Sequence, residues 1–192
     1  IIYFETLGCS RNQVDSEIML TKLAARGHRI TDDPVTAEVI VVNTCGFIST
    51  ASDEAVDVIL QMAQLKQAGV CRRLIATGCL AQRYKDDPDL VASLPEVDAF
   101  LGTAACDSIV SAVEGQDTST LTLFPDPVQR GFQDLSESRE LTTGPFAYVK
   151  VSEGCNRRCT FCIIPKLRGT QRSRPVEEIC TESEQLVSKG VK

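Results

Sequence analysis

The sequence has no tryptophan and only one histidine, His28, although nine of its 192 residues are cysteines. No stretch approaches the roughly 18 apolar residues that a membrane-spanning helix requires. Nor do the 192 residues contain the charged, apolar and small-residue parts of a secretory signal. We therefore predict a globular protein of the cytoplasm that does not act at a membrane. His28 follows Gly27 at a predicted helix end, and we interpret it as structural.

Without a secretion signal, the cysteines are expected to stay reduced and to bind metal or take part in chemistry. A secreted protein with nine cysteines would instead carry a disulfide framework with one thiol left over, and we consider that alternative weak. Three of the nine stand in "EGCNRRCTFCIIP", residues 153–165, with gaps of three and two residues. These three are Cys155, Cys159 and Cys162, and we call them the C-terminal trio.

The net charge of −6 is unevenly distributed along the chain. Residues 1–115 carry a net −7, residues 116–143 a net −3, and residues 144–192 a net +4. This asymmetry indicates at least two units with different partners. No acidic residue occurs within 155–174, where the basic residues are Arg157, Arg158, Lys166, Arg168, Arg172 and Arg174.

Residues 1–115 alternate between predicted strands and helices, which indicates an α/β domain with a mainly parallel open sheet and flanking helices. Predicted strands lie in "IIYFETL", "AEVIVVNT", "RRLIAT" and "VDAFLG". The first predicted helix begins with Asp15 or Ser16 as N-cap and stops at Gly27. A second spans about 52–67, and "ACDSIVSAVEG" is typical of a third.

Residues 116–143 have no sustained period, and we predict a linker that has room for a short strand or hairpin. A second unit then begins at about residue 144 with a strand in "PFAYVKVSEG", the cysteine loop, and a helix from about Pro175 to Lys189. One β-loop-α unit cannot bury its own core. We therefore expect residues 144–192 to be the start of a larger, truncated domain, and the chain to be part of a longer protein.

A second set of three cysteines follows the predicted strands: Cys9, Cys45 and Cys79 each stand one or two residues beyond a strand. The carboxyl ends of parallel strands lie along one edge of a sheet, where ligands bind. We therefore expect these cysteines, which we call the N-terminal trio, to converge although 35 and then 33 residues separate them. The neighbouring glycines that allow tight turns there are Gly8, Gly46 and Gly78.

The alternative is that each such cysteine is only a small buried apolar residue. The repetition of position and flanking glycine in all three disfavours it. The remaining cysteines lack that pattern, and for them the alternative is preferred. We predict that they are partly buried thiols, with the last two on helices: Cys71, Cys106 and Cys180.

Three thiolates in each trio suit iron–sulfur chemistry better than zinc. Structural zinc takes four tetrahedral ligands, and His28 is not placed to complete either trio. A four-iron cluster held by three cysteines keeps one iron open for a substrate or cofactor. A structural cluster has no need of an open iron, whereas a catalytic cluster does.

The C-x3-C-x2-C loop with an aromatic residue before its last cysteine resembles the radical S-adenosylmethionine superfamily. The resemblance implies that Cys155, Cys159 and Cys162 hold a 4Fe-4S cluster whose open iron binds S-adenosylmethionine. It also implies that Phe161 lies close to the adenine of that cofactor. One-electron reduction in this superfamily yields a 5′-deoxyadenosyl radical that abstracts hydrogen from a C–H bond.

Further motifs resemble the methylthiotransferases over nearly all 192 residues: "TLGCSRNQVDSE", "NTCGFI", "TGCLAQR", "EGCNRRCTFCIIPKLRG" and "RSRP". The resemblance implies an N-terminal methylthiotransferase domain at 1–115, a linker at 116–143, and the start of a radical barrel at 144–192. It implies that Cys9, Cys45 and Cys79 hold an auxiliary 4Fe-4S cluster that takes part in sulfur delivery. The expected reaction converts C–H to C–S–CH3, with a second S-adenosylmethionine giving the methyl group.

Two substrates fit that family. "NTCGFI", "LGC" and "VDSE" resemble the RimO type, which modifies the β-carbon of an aspartate in small-subunit ribosomal protein twelve. Related enzymes modify an adenosine in tRNA. A domain of net −7 should attract a basic ribosomal protein and repel tRNA, so we favour the ribosomal protein. The expected electron donor is a reductant such as flavodoxin or ferredoxin.

A different class remains as an alternative, namely a non-catalytic zinc protein or an electron-transfer iron–sulfur protein. The basic run at 157–174 likewise has two interpretations. It could be an ordinary solvated face, or it could offset the charge of a thiolate-bound cluster or bind the carboxylate of the cofactor. Arg168 and Arg174 lie in the family-like stretches and are the two candidates for such a role.

Overall fold

The computed structural model describes residues 1–115, 120–129, 139 and 141–192. Six strands form one sheet in the order β2-β1-β3-β4-β5-β6, and every neighbouring pair is parallel. The predicted α/β domain with a parallel open sheet is therefore confirmed. The strands of this sheet are β1 (Ile2–Thr6), β2 (Ile30–Thr31), β3 (Val39–Thr44), β4 (Arg73–Gly78), β5 (Ala99–Leu101) and β6 (Leu121–Leu123).

Helices cover both faces of the sheet, as parallel βαβ crossovers require. The described helices are α1 (Ser10–Ala25), α2 (Ser49–Gln67), α3 (Cys79–Arg83), α4 (Leu90–Ser93), α5 (Ile109–Glu114), α6 (Ile164–Arg168) and α7 (Val176–Ser188), and two 3₁₀ turns lie at Pro34–Thr36 and Cys106–Ser108. In the part of the chain that the structure describes, none of these helices is both long and apolar enough to cross a membrane.

The start of α1 differs from the prediction. The helix begins at Ser10, so Asp15 and Ser16 lie inside it and are buried, rather than capping it. Gly8, with φ +95°, turns the chain directly after β1 and allows the helix to begin at once. Ser16 instead accepts a hydrogen bond from the Thr6 hydroxyl, with 2.7 Å between the oxygens.

The centre of the sheet explains why its strands are so apolar. All residues of β3 and β4 are buried, and alternate side chains face opposite layers. Ile40 and Leu74 pack in the layer that contains α2 residues such as Ile59. Val41 and Ile75 pack in the other layer, which holds residues of α1 and α5.

The segment predicted as a linker contains β6, which extends the sheet beside β5. Residues 116–119, 130–138 and 140 lie outside the described part. In the C-terminal segment the predicted strand is confined to β7 (Ser152–Glu153), which pairs antiparallel with β8 (Arg172–Ser173). A strand needs a hydrogen-bonded neighbour, and β8 offers only two residues. Helix α7 agrees with its prediction to within one residue at each end.

Candidate metal centre

The strand order brings the N-terminal trio to one edge of the sheet. The three cysteine-bearing strands are consecutive neighbours, β1-β3-β4, with Thr6 opposite Asn43 and Thr44 opposite Gly78. Cys45 and Cys79 directly follow the last residues of β3 and β4, whereas Cys9 follows β1 after a two-residue turn. The three strand ends therefore meet, as the sequence predicted.

Two glycines permit close contact between these strand ends. A Cβ placed on Gly8 would lie 2.8 Å from Cys45 Cβ and 3.0 Å from Cys45 Sγ. A Cβ on Gly46 would lie 2.9 Å from the backbone of Cys79 and Leu80. Cys45 is therefore enclosed between the β1 turn and the start of α3. Any larger residue at either glycine would force these cysteine-bearing segments apart.

The thiols differ in exposure. Cys45 and Cys79 are 9% and 6% exposed, while Cys9 lies open to solvent. Burial raises the pKa of the Cys79 thiol, and the neighbouring Arg168 opposes that rise without reversing it. Within the described residues, no three His, Cys, Asp or Glu side chains are already arranged to hold a metal ion. The fold thus gathers the cysteine segments without fixing all three thiols on a common point.

Asn12 joins the three strand ends. Its fully buried amide nitrogen donates to the carbonyl oxygens of Leu7 and Thr44, at 2.9 Å each. Its Oδ1 faces Cys79 Sγ at 3.7 Å. One side chain on the first turn of α1 therefore connects the ends of β1 and β3 with the thiol that follows β4.

Arg168 reaches the same point from the far end of the sequence. It is 3% exposed, and its Nη2 donates to Asn12 Oδ1 at 2.6 Å and to Cys79 Sγ at 3.6 Å. Its Nη1 pairs with Asp15 Oδ2 at 2.5 Å and with Glu153 Oε2 at 3.5 Å. Burial by itself would lower the pKa of Arg168, but Asp15, Cys79 and Glu153 more than offset it and raise that pKa.

Lys150 completes this buried charge cluster. Its Nζ lies 2.8 Å from Asp15 Oδ1 and 3.0 Å from Glu153 Oε2. Burial would raise the pKa of Glu153, but Lys150 and Arg168 outweigh it, and the pKa is lowered. Two carboxylates and two cations therefore compensate each other out of contact with water, as buried charges must.

The C-terminal trio lies on a more open loop. Cys155 and Cys162 are half-buried, and Cys159 is exposed. The N–H of Cys155 donates to the carbonyl of Gly169 at 3.1 Å, and the N–H of Cys162 donates to that of Cys159 at 3.1 Å. Phe161 is 90% exposed, so its ring is free to meet a ligand.

The basic run is not one solvated face. Arg168 and Arg174 are buried, and Arg174 pairs with Glu178 and Glu182 of α7. Arg172 donates to the backbone carbonyls of Pro127 and Val128. The remaining three basic residues are exposed, namely Arg157, Arg158 and Lys166.

The other cysteines and the histidine lie elsewhere. Cys71 and Cys106 are each 2% exposed and are more deeply buried than predicted. Cys71 lies in the core layer on the α2 side of the sheet, and Cys106 lies in the layer on the other side. Cys180 lies on α7 as predicted but is exposed rather than partly buried. His28 Nε2 faces Glu114 Oε1 at 3.2 Å, beside the C-terminal end of α5.

From the sequence alone, Asp15 was predicted only as a possible helix cap, and no role was assigned to Asn12, Lys150 or Glu153. A signal was available for the first two. Asn12, Asp15 and Ser16 follow the i, i+3, i+4 spacing of one helix face, so a helix that starts at Ser10 places a polar stripe against the strand ends. Lys150 and Glu153 pair with each other three residues apart, but the contact of Lys150 with Asp15 and that of Glu153 with Arg168 span 135 and 15 positions, and no local pattern reveals them.

The donor chemistry suits a thiolate-bound iron cluster. Each trio offers three soft sulfur ligands and no imidazole, a set that favours iron–sulfur clusters. The buried guanidinium 3.6 Å from Cys79 Sγ can oppose the negative charge that thiolate ligands would bring into this edge. The N-terminal trio therefore fits such a cluster in donor type, and the adjacent guanidinium fits it in charge.

The chain thus belongs to the α/β class, with an open parallel sheet whose carboxyl edge is followed by three cysteines. Residues 1–102 match the family described as "Uncharacterized protein family UPF0004", and the chain belongs to that family.

The chain is similar over nearly its whole length to proteins that carry the name ribosomal protein uS12 methylthiotransferase RimO. The protein from Desulfosudis oleivorans is 48% identical over 100% of this chain and 43% of its own length. Relatives from Anaeromyxobacter sp. and Myxococcus xanthus are 48% and 47% identical over 98% and 99% of this chain, and over 39% of their own lengths. The chain thus spans about two-fifths of the length of the curated relatives it matches.

Proposed function

We propose that the protein is a radical S-adenosylmethionine methylthiotransferase. It would replace a C–H bond by C–S–CH3 on the β-carbon of an aspartate in ribosomal protein uS12. The observation that carries this proposal is the strand order β1-β3-β4, which gathers three cysteine-bearing segments at one ligand-binding edge. The names of the relatives support the same activity and substrate.

Each trio has a separate role in this proposal. Cys155, Cys159 and Cys162 would hold the 4Fe-4S cluster that binds S-adenosylmethionine, and the N-terminal trio would hold the auxiliary 4Fe-4S cluster. When bound, the two clusters would supply reductive cleavage of S-adenosylmethionine and sulfur delivery, with electrons from a reductant such as flavodoxin or ferredoxin. The exposed ring of Phe161 would provide an apolar face for the adenine.

The chain's own residues would hold these sites in place. Asn12 fixes the strand ends that carry Cys9 and Cys45 through its two backbone hydrogen bonds. The carbonyl of Gly169 holds the N–H of Cys155, which keeps the start of the cysteine loop against the end of α6. Cys45 and Cys79 are buried, which would exclude water from one side of the auxiliary cluster.

Charge favours the ribosomal protein as substrate. Residues 1–115 carry a net −7, and an acidic surface attracts a basic protein more readily than a polyanion. A second candidate, an adenosine of tRNA, is favoured by the exposed cations Arg157, Arg158 and Lys166 around the C-terminal trio. Such cations could contact phosphates.

Transfer to purified substrates tests the proposed function. The complete protein, reconstituted anaerobically with iron and sulfide, would receive S-adenosylmethionine, a strong reductant, and either uS12 or unmodified tRNA. Mass spectrometry should find a methylthio group on an aspartate of uS12 and none on tRNA. Methylthiolation of tRNA alone would establish the second candidate. A protein that binds zinc, or whose clusters do not react with S-adenosylmethionine, would belong to the non-catalytic class.

A further inference from the structure

The buried charge cluster of Asp15, Lys150, Glu153 and Arg168 joins the two cysteine trios. Arg168 is the last residue of α6, six residues beyond Cys162. Its side chain nevertheless reaches the N-terminal trio, where it donates to Cys79 Sγ and to Asn12 Oδ1. The next residue, Gly169, accepts the backbone N–H of Cys155. Adjacent residues therefore contact one cysteine of each trio.

We propose that Arg168 is a positioning residue shared by the two sites. It sets the charge around the N-terminal trio through Cys79, and it fixes the loop of the C-terminal trio against the N-terminal domain. This inference rests on the proposed function, because it concerns the clusters that the two trios would hold.

The geometry of the guanidinium suits this role. Nη1 is directed to the carboxylates of Asp15 and Glu153, and Nη2 to Asn12 and Cys79. A planar fork can serve these separate acceptors at once, whereas a lysine ammonium is a single compact charge. A hydrogen bond from a cation to a thiolate ligand is charge-assisted. It would stabilise the more negative, reduced form of the attached cluster.

The end of α6 is fixed to the N-terminal domain by backbone contacts as well. Thr103 donates its hydroxyl to the carbonyl of Leu167 at 2.5 Å, and Leu167 is fully buried. A Cβ placed on Gly154 would lie 2.2 Å from the carbonyl oxygen of Thr170. The residues just before Cys155 therefore lie directly against those that follow Arg168. A displacement of Arg168 would be transmitted to the cysteine loop.

The same contacts argue against a second role for Arg168, namely binding the carboxylate of S-adenosylmethionine. Its side chain is buried and its Nη atoms are directed to four protein groups. It therefore does not present its fork to the carboxylate of S-adenosylmethionine. Arg157 and Arg158, inside the cysteine loop, are exposed and therefore open to an incoming ligand.

The first test measures the N-terminal cluster alone. In the complete protein, Cys155, Cys159 and Cys162 would be changed to alanine, and the midpoint potential and electron paramagnetic resonance spectrum of the remaining cluster recorded. Arg168→Gln should shift the potential to a more negative value, because a positive charge and an N–H···S contact are lost. Arg168→Lys should recover part of that shift. The matched control, Lys166→Gln, removes an exposed cation from the same helix and should change neither signal.

Equal potentials and spectra in Arg168→Gln, Lys166→Gln and the parent would overturn the inference while leaving the proposed function intact. A parent that holds no cluster on the N-terminal trio would instead overturn the proposed function. Far-ultraviolet circular dichroism identifies variants that do not fold. If Arg168→Gln does not fold, the comparison of Arg168→Lys with the parent tests the inference. It keeps the charge but loses the fork, so a spectrum identical to the parent's would also overturn the inference.

The second test concerns the link to the C-terminal trio and needs no cluster. Amide hydrogen exchange of the complete apo protein would be followed for peptides that contain Cys155. Arg168→Gln and Arg168→Lys should each accelerate exchange there, because the end of α6 no longer holds the loop. Lys166→Gln should leave the rate unchanged. Unchanged exchange in both Arg168 variants would show that the residue does not couple the two sites.

Discussion

Arg168 Nη2 donates a buried hydrogen bond of 2.6 Å to Asn12 Oδ1, across 156 positions of sequence. Asn12 in turn donates to the ends of β1 and β3, and both side chains contact Cys79 Sγ. The C-terminal segment is thus joined to the candidate metal centre through an amide whose oxygen and nitrogen are both hydrogen-bonded.

Asn12 should therefore be a large contributor to stability. Asn12→Ala removes the donor to the carbonyls of Leu7 and Thr44 and the acceptor of Arg168, and it leaves these buried groups without that partner. We expect a loss of roughly 3 kcal/mol in the free energy of unfolding, measured by urea denaturation. Ser10→Ala, at an exposed position on the same helix turn, is the matched control. Equal stability of the two variants would contradict the role assigned to Asn12.

Gly8 should be intolerant of a side chain for two separable reasons. Gly8 and Gly27 both have positive φ, at +95° and +83°, but only Gly8 faces a neighbour that a Cβ would strike. Gly27→Ala should cost about 1 kcal/mol from backbone strain. Gly8→Ala should cost roughly 1–3 kcal/mol more, because its Cβ would overlap Cys45. Thermal unfolding of both variants checks this difference, and equal costs would show that the strand ends can separate freely.

Arg139 should anchor the C-terminal segment to α1. Its Nη1 lies 2.8 Å from Glu17 Oε2 and its Nη2 lies 2.6 Å from Glu182 Oε1, with all three side chains buried. Arg139→Met removes the guanidinium and leaves these carboxylates buried, so we expect a loss of about 3–5 kcal/mol. The control is Arg26→Met, whose pair with Glu114 is exposed and should matter little. Similar urea midpoints for both variants would contradict this assignment.

Tyr3 should titrate at high pH. Burial, together with the adjacent carboxylate of Glu5, raises the pKa of the Tyr3 phenol from 10.0 to about 12. The folded state therefore favours the neutral phenol, and this contribution to stability is present below pH 10 and is lost as the pH rises toward 12. Ultraviolet titration of phenolate should reveal one late tyrosine that is missing in Tyr3→Phe. A variant whose titration keeps that late step would show that the step belongs to another tyrosine.

The sequence predicted the sheet and the edge at which three cysteine-bearing strands end, because both depend on local patterns. Continuous β-branched runs identify buried parallel strands, and the strand-end rule then places Cys9, Cys45 and Cys79 along one edge. The predicted start of α1 was wrong because Asp15 resembles a helix cap. Its actual partners, Lys150 and Arg168, lie 135 and 153 residues away. Such contacts follow from the packing of the two segments and leave no local signature.

The predicted strand before Glu153 was too long for a related reason. Its residues have the β-branched and aromatic character of a strand, but only Ser152 and Glu153 find a partner among the described residues. Phe146 and Tyr148 instead meet edge to face, with ring centroids 5.7 Å apart. Propensity supplies a strand-like sequence, whereas pairing decides whether a strand forms.

Iron and sulfide content, measured on the anaerobically reconstituted complete protein, tests most directly whether each trio holds a cluster. Two 4Fe-4S clusters require about eight irons per chain, and Cys45→Ala should retain about four. Cys71→Ala, which alters a core cysteine outside both trios, should keep about eight. Zinc in place of iron, or a Cys45→Ala variant that binds as much iron as the parent, would show that the two trios do not each hold a 4Fe-4S cluster.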